Sequence, residues 1–258
     1  MIDSHCHLNL DTHSNQHKAA IAEANATGVH TIINVGIDLA SSRAAIDLSE
    51  QHDGLFATVG VHPHDAKTLC GDTLDKLRTM AGHDKVVAIG EIGLDYYRDL
   101  SPRQVQREAF FCQLELAIEV DLPIVIHTRE SFDDTVKIVS QYASRLRGGV
   151  FHCFPGNADD AATVIGMGFV ISVGGVITFP KASMARMAQA TDLGKIILET
   201  DSPYLTPVPF RGKPNKPAYV RHVCNKLAEL KEIGPSDVER VTDRTCQKLF
   251  RLVETFEG

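Results

Sequence analysis

Met1 to Leu8 read MIDSHCHL, a short extended run that closes on His5 and His7 with Cys6 between them. Side chains alternate faces along an extended segment, so the two imidazoles point one way and Cys6 the other. Comparable runs recur along the chain: HTIINV (30–35), LFATVGV (55–61), VVAIGE (86–91), PIVIHT (123–128), GVFHCF (149–154), FVISVG (169–174) and KIILETD (195–201), eight in all. Short, nearly continuous apolar runs of this kind mark parallel strands covered on both faces. Helical patterns lie between them. Ser101 and Pro102 predict an N-cap and first turn with Gln104 completing a capping box, Asn157 and Gly168 bracket another helix, and Ser236 with Glu239 opens the last.

Eight strands alternating with helices form either a closed (β/α)8 TIM barrel or an open doubly wound sheet. No GxGxxG or GxxxxGK[ST] follows a strand, so the nucleotide-binding open sheet has no support. The length of 258 residues matches the roughly 250 typical of one barrel, which predicts a single α/β domain over residues 1–258. No signal-peptide pattern, apolar span, repeat or low-complexity run is present, and the six cysteines show no framework spacing. A cytoplasmic protein with free thiols and no membrane association is expected. A net charge of -7 argues against a broad electrostatic grip on duplex nucleic acid, though not against a locally positive site.

A barrel carries its chemistry at the C-terminal ends of its strands. His5 and His7 close the first run, His62 and His64 follow the third, Glu91 ends the fourth, His127 and His152 lie in the fifth and sixth, and Asp201 ends the eighth. Any one of these histidines alone reads equally well as a hydrogen-bonded structural residue. Converging on one mouth, imidazoles and carboxylates call for a divalent cation such as Zn, Mn, Ni, Co or Mg. Six ligands with one bridging carboxylate suit a pair of ions about 3.5 to 4 Å apart, as in two-metal hydrolases. Cys6 and Cys153 face away and read as packing. His13, His17, His30, His52, His83 and His222 fall in helical or connecting segments and receive no role.

At these positions the sequence resembles the TatD family of metal-dependent hydrolases, often called TatD-type deoxyribonucleases, within the amidohydrolase-like barrels. The motifs run in order along the chain: DSHCHL near the start, GVHPH (60–64), GEIGLDYY (90–97), HTRE (127–130), HCFPG (152–156), ETDSPYL (199–205) and RGKPNKP (211–217). The resemblance implies one metal on His5, His7 and Asp201, a second on His127 and His152, and Glu91 as the bridge. It places His62 and His64 beside the metals as substrate or supporting groups, and implies a phosphodiesterase in which a two-metal-activated hydroxide attacks phosphorus, with Asp201 also taking the proton. Departures fall at Asn9, Ser131, Phe132, Pro155 and Thr245, none of them an expected ligand.

Around this centre Glu199 is placed to orient a ligand imidazole, or else to serve as a buried ion-pair partner. Arg129, Arg211 and Lys213 are candidate phosphate contacts. Asp95 and Tyr96, with Tyr97, follow the bridging glutamate, where a tyrosine can stack on a base. The leading expectation is exonuclease-like cleavage of single-stranded DNA, with nucleic acid as substrate and no obligate protein partner. An amide or ester hydrolase, such as an aminoacyl-tRNA deacylase, is the alternative enzyme, because metal sites also attack carbonyls. A metal-binding interaction protein without catalysis is the alternative of another class.

Overall fold

The computed structural model describes residues 1–10 and 17–252. Eight parallel strands form one sheet in sequential order: β1 Ile2–Cys6, β2 Thr31–Val35, β3 Leu55–Val59, β4 Val86–Asp95, β5 Ile124–Arg129, β6 Gly149–Phe151, β7 Val170–Val173 and β8 Ile196–Leu198. Just beyond β8 the chain returns to β1. Asp201 N donates to His5 O and His7 N to Ser202 O, both at 2.9 Å, and these bonds close the (β/α)8 barrel.

Helices alternate with the strands: α1 His17–Ala26, α2 Leu39–Gln51, α3 Gly71–Ala81, α4 Arg103–Glu119, α5 Phe132–Tyr142, α6 Ala158–Gly166, α7 Ser183–Ala190, α8 Val220–Lys231 and α9 Pro235–Phe250. None of the described helices is long and apolar enough to cross a membrane. The Asn157 cap forms as the sequence predicts, its side chain accepting from Asp159 N and Asp160 N. The other two expected caps do not. Pro102 takes the cap position of α4 while Ser101 Oγ donates to His64 O in the neighbouring loop after β3, and α9 starts at Pro235 behind Gly234 without a side-chain cap. A serine hydroxyl offered a buried carbonyl binds it in preference to a helix end that water can reach. His13 lies outside the described residues.

Period-two alternation sorts the strands into two faces. Ile124 and Ile126 of β5 join the apolar layer between barrel and helices, whereas Val125 turns inward beneath His127. Ile2, Ile33, Val87, Val125, Val150 and Ile197, one from each of six strands, fill the lower lumen together with Cys246 and Phe250 of α9. Cys6 belongs to the outer layer and its Sγ lies 3.5 Å from Asn34 Oδ1, as its outward phase requires. Alternation alone would not carry Ile2 and His5 to one face. The register between β1 and β2 shifts between Asp3 and Cys6, and that between β4 and β5 shifts between Ile89 and Ile92. Such irregularities re-aim side chains. Here they put His5, His7 and Glu91 above the apolar fill.

Candidate active site

Glu91 is the hub of the mouth. It is 4% exposed, and its backbone N–H donates to Gly36 O at 2.9 Å. Its two carboxylate oxygens serve different sides. Oε2 lies 3.6 Å from His5 Nε2 and 3.9 Å from His7 Nε2, while Oε1 lies 2.8 Å from His127 Nδ1, 3.0 Å from His152 Nε2 and 3.6 Å from His62 Nε2. Asp201 Oδ1 completes the first side at 3.5 Å from His7 Nε2 and 3.8 Å from His5 Nε2. Asp201 sits beyond β8 at φ +56, a left-handed conformation in the segment that pairs with the adjacent β1. Thr200 holds this bend in place. Its N–H and hydroxyl donate to the buried Asp3 carboxylate at 2.8 and 2.6 Å.

Most of the imidazoles are fixed from behind. His7 Nδ1 faces Val35 O at 3.2 Å, His127 Nε2 faces Asp95 Oδ2 at 3.2 Å, and His152 Nδ1 lies 3.3 Å from Glu199 Oε1. Each such partner favours the tautomer that turns a lone pair toward the centre. Asp95 also takes His64 Nε2 at 2.8 Å and accepts from Tyr97 N and Arg98 N at 3.0 and 2.7 Å. Ser172 Oγ donates to Glu199 Oε2 at 2.5 Å. Gly93 permits the His127 strand to lie close: at φ +140, a Cβ there would meet His127 O at 2.0 Å.

Protonation follows the packing. Burial alone would raise the Glu91 carboxyl, but His152, His62 and His127 hold it well below the usual carboxylate range. Asp201 is lowered in the same way, with burial opposed by His7, His152 and His5. Burial depresses His62 strongly and His5 as well. It also opposes protonation of His7, His127 and His152, yet the carboxylates beside them win and raise all three.

The donors fit divalent cations. A cation with bonds of about 2.0 to 2.2 Å sets neighbouring donors about 3 to 3.6 Å apart. His5 and His7 place their Nε2 atoms 3.3 Å apart, and His5–His152–Asp201, His5–His7–Glu91 and His62–Glu91–His127 each bring three donor atoms together. Behind the centre, His5 Nδ1 makes no hydrogen bond among the described residues, and His152 Nδ1 and Glu199 Oε1, 3.3 Å apart, meet as an ion pair rather than an aligned hydrogen bond.

Residues 2–251 match the family described as TatD related DNase. The chain belongs to the TatD family. It is 38% identical to the uncharacterized metal-dependent hydrolase YabD of Bacillus subtilis, over 98% of this chain and 99% of that protein. Its identity to a Klebsiella pneumoniae protein named 3'-5' ssDNA/RNA exonuclease TatD is 31%, with 98% of each chain covered. The crystal structure of YJJV, a TatD homolog from Escherichia coli K12, superposes with a TM-score of 0.92 at 30% identity and 98% coverage of both chains. The protein is thus a TatD-type metal-dependent hydrolase with candidate metal-binding groups at the barrel mouth.

The TatD barrel brings together His5, His7, His62, Glu91, His127, His152 and Asp201, with Asp95, His64 and Glu199 in contact behind them. It disposes the remaining candidates differently. Tyr96 is committed to Asp134 at 2.7 Å and to Arg107 and Arg103, and leaves Tyr97 as the exposed ring of that loop. Arg129 lies over Tyr97 at 3.9 Å and Arg211 over Phe179 at 4.0 Å, while Lys213 is exposed. Of the departures from the family pattern, Pro155 is exposed and the other four join packing. Asn9 Nδ2 donates to Val35 O and Ser41 O, Ser131 Oγ to Leu94 O, Phe132 meets Phe151 and Phe154, and Thr245 Oγ1 bonds Gly194 O.

Several supporting residues escaped the sequence reading: Asp3, Ser172, Asn215 and the Val35 carbonyl. Asp3 and Asn215 sit inside the recognised motifs MIDSHCHL and RGKPNKP, which is the one signal that would have raised them.

Proposed function

We propose that this chain is a deoxyribonuclease of exonuclease type that hydrolyses single-stranded DNA at a two-cation centre. In this reading His5, His7 and Asp201 hold one ion, His127 and His152 the other, and Glu91 bridges. The observation that carries it is the division of Glu91, whose Oε2 faces His5 and His7 while its Oε1 faces His127 and His152. His62, at 3.6 Å from Oε1, borders the second position. When bound, such cations supply Lewis acidity toward a phosphoryl oxygen and make water acidic enough to lose a proton near neutral pH.

The chain's own groups do the rest. Asp201, kept ionised by the histidines around it, offers Oδ1 as the acceptor for the proton of the attacking water. Asp95 and Glu199 hold His127 and His152 in orientation, so that forming charge meets dipoles already aligned. The apolar lumen beneath denies bulk water a path from below. The single-stranded preference is supported by the name of the Klebsiella relative and by the net charge of -7, which disfavours a grip on the many phosphates of a duplex.

The test is cleavage of end-labelled single-stranded and duplex DNA by metal-reconstituted protein, beside esters and aminoacyl-RNA, with Glu91→Ala as control. Stepwise loss of nucleotides from the single strand, absent in the variant, is expected. Intact DNA alongside Glu91-dependent cleavage of an ester or aminoacyl bond would replace the nuclease reading with that of an acyl hydrolase.

A further inference from the structure

The large apolar side chains left exposed are unevenly placed. Among the described residues Tyr97, Leu100, Tyr204, Val208 and Ile233 carry this exposure. The first two belong to the loop after β4 and the next two to the loop after β8. In a closed ring of eight sequential strands, the fourth and eighth are diametrically opposed. Two aromatic rings, Tyr97 at 54% exposure and Tyr204 at 51%, therefore stand on facing rims with the Glu91 cluster between them. Aromatic rings left exposed on the rims of a candidate active site are placed to receive the flat face of a base.

We infer that Tyr204 is the stacking platform for the base of the nucleotide next to the scissile phosphate, and that the Tyr97–Arg129 pair is a second platform on the opposite rim. The inference rests on the nucleic-acid reading above and assigns that reading its base contacts. Tyr204 has the better geometry for the inner position. Its ring lies 6.2 Å from the His7 ring at an interplanar angle of 66°, and its hydroxyl makes no hydrogen bond among the described residues. The ring therefore stands next to a donor of the cluster with about half of its surface exposed.

The backbone beneath it is tied to the same centre. Tyr204 N donates to Asp201 O at 2.8 Å, and the buried Asn215 amide donates to both Thr200 O and Tyr204 O at 2.7 Å. One side chain thus fixes Tyr204 in register with Asp201, which is the preorganisation a stacking subsite needs. On the far rim the Arg129 guanidinium lies 3.9 Å over Tyr97, a flat paired surface. The rim cations Arg129 and Arg211 are both laid on aromatic rings. With the chain carrying a charge of -7, base faces rather than many phosphates supply the hold on the strand.

The test compares single strands that differ only in whether the terminal nucleotide carries a base or an abasic tetrahydrofuran, using wild type, Y204L and Y204F. The wild-type KM is expected to be about tenfold lower for the base-bearing strand. Y204L should bring the two values within about twofold, and Y204F should recover the difference, since the ring and not the hydroxyl stacks. A second readout needs no turnover: 2-aminopurine at the terminal position is quenched on binding Glu91→Gln protein, and the quench disappears when Y204L is added to that background. Equal KM changes for both strands in Y204L, or a quench that persists without the ring, would overturn the inference while the nuclease reading stood. Absence of cleavage of either strand by wild type, with Glu91-dependent ester hydrolysis intact, would remove the nuclease reading and this inference with it.

Discussion

The half of the mouth built by β1 and β8 and the half built by β5 and β6 offer similar donors to the same glutamate but are supported differently. His127 and His152 are each backed by a buried carboxylate, Asp95 and Glu199. Among the described residues His7 is backed by the Val35 carbonyl alone, and His5 Nδ1 has no hydrogen-bond partner. A carboxylate behind an imidazole makes it a better donor and a stronger base, whereas a carbonyl fixes orientation and little else. Under the two-cation reading proposed above, the difference predicts unequal positions, the β5/β6 one tighter but more open to proton competition.

Removing what the halves share should have the largest effect. Glu91→Gln is expected to lower kcat/KM about 10³-fold or more and to weaken both ions, measured by single-turnover cleavage and metal stoichiometry. Retention of one ion at full affinity would show that Glu91 serves a single half. Gly93→Ala comes next. Its Cβ would press on the His127 carbonyl, so a loss of about 3 kcal/mol in urea unfolding is expected, with any residual binding defect confined to the β5/β6 ion.

Glu199→Gln sharpens the comparison further. It should weaken the β5/β6 ion by about 10- to 100-fold in chelator competition and leave the other near its original affinity. Equal weakening of both would mean that Glu199 acts on the centre as a whole. The smallest effect concerns pH. Contacts with His127, His64 and the Arg98 amide outweigh burial and depress the folded pKa of Asp95 far below its ordinary value. Its stabilising contribution is therefore present above the ordinary carboxylate range and lost as pH falls toward the folded value. The Tm advantage of metal-free wild type over Asp95→Asn should shrink on acidification below about pH 4, and should also decline at high pH once His127, whose pKa Asp95 helps to raise, gives up its proton. An advantage that grows in that acid range would reverse the assigned sign.

Much of this site was legible in the chain because barrel strands speak through local pattern. An apolar run ending in a histidine or carboxylate is a strand delivering a ligand candidate to the mouth, and His5, His7, Glu91, His127 and His152 were read that way. Helix ends were less legible. Ser101 has the right identity for a cap, yet its hydroxyl is drawn to His64 O, a residue 37 positions away that no local window contains.

What the sequence determined by itself is therefore the alternation of eight strands with helices, the family, and which side chains share the mouth, since these follow from short-range periodicity and contiguous motifs. Only the tertiary structure decided how those side chains are apportioned and supported: the two oxygens of Glu91 facing opposite halves, Asp201 placed by a left-handed conformation and the Asp3–Thr200 bonds, Asp95 shared between His64 and His127, and Tyr204 clamped by Asn215. Those arrangements join residues up to 197 positions apart, and closing the barrel is what brings them within a hydrogen bond of one another.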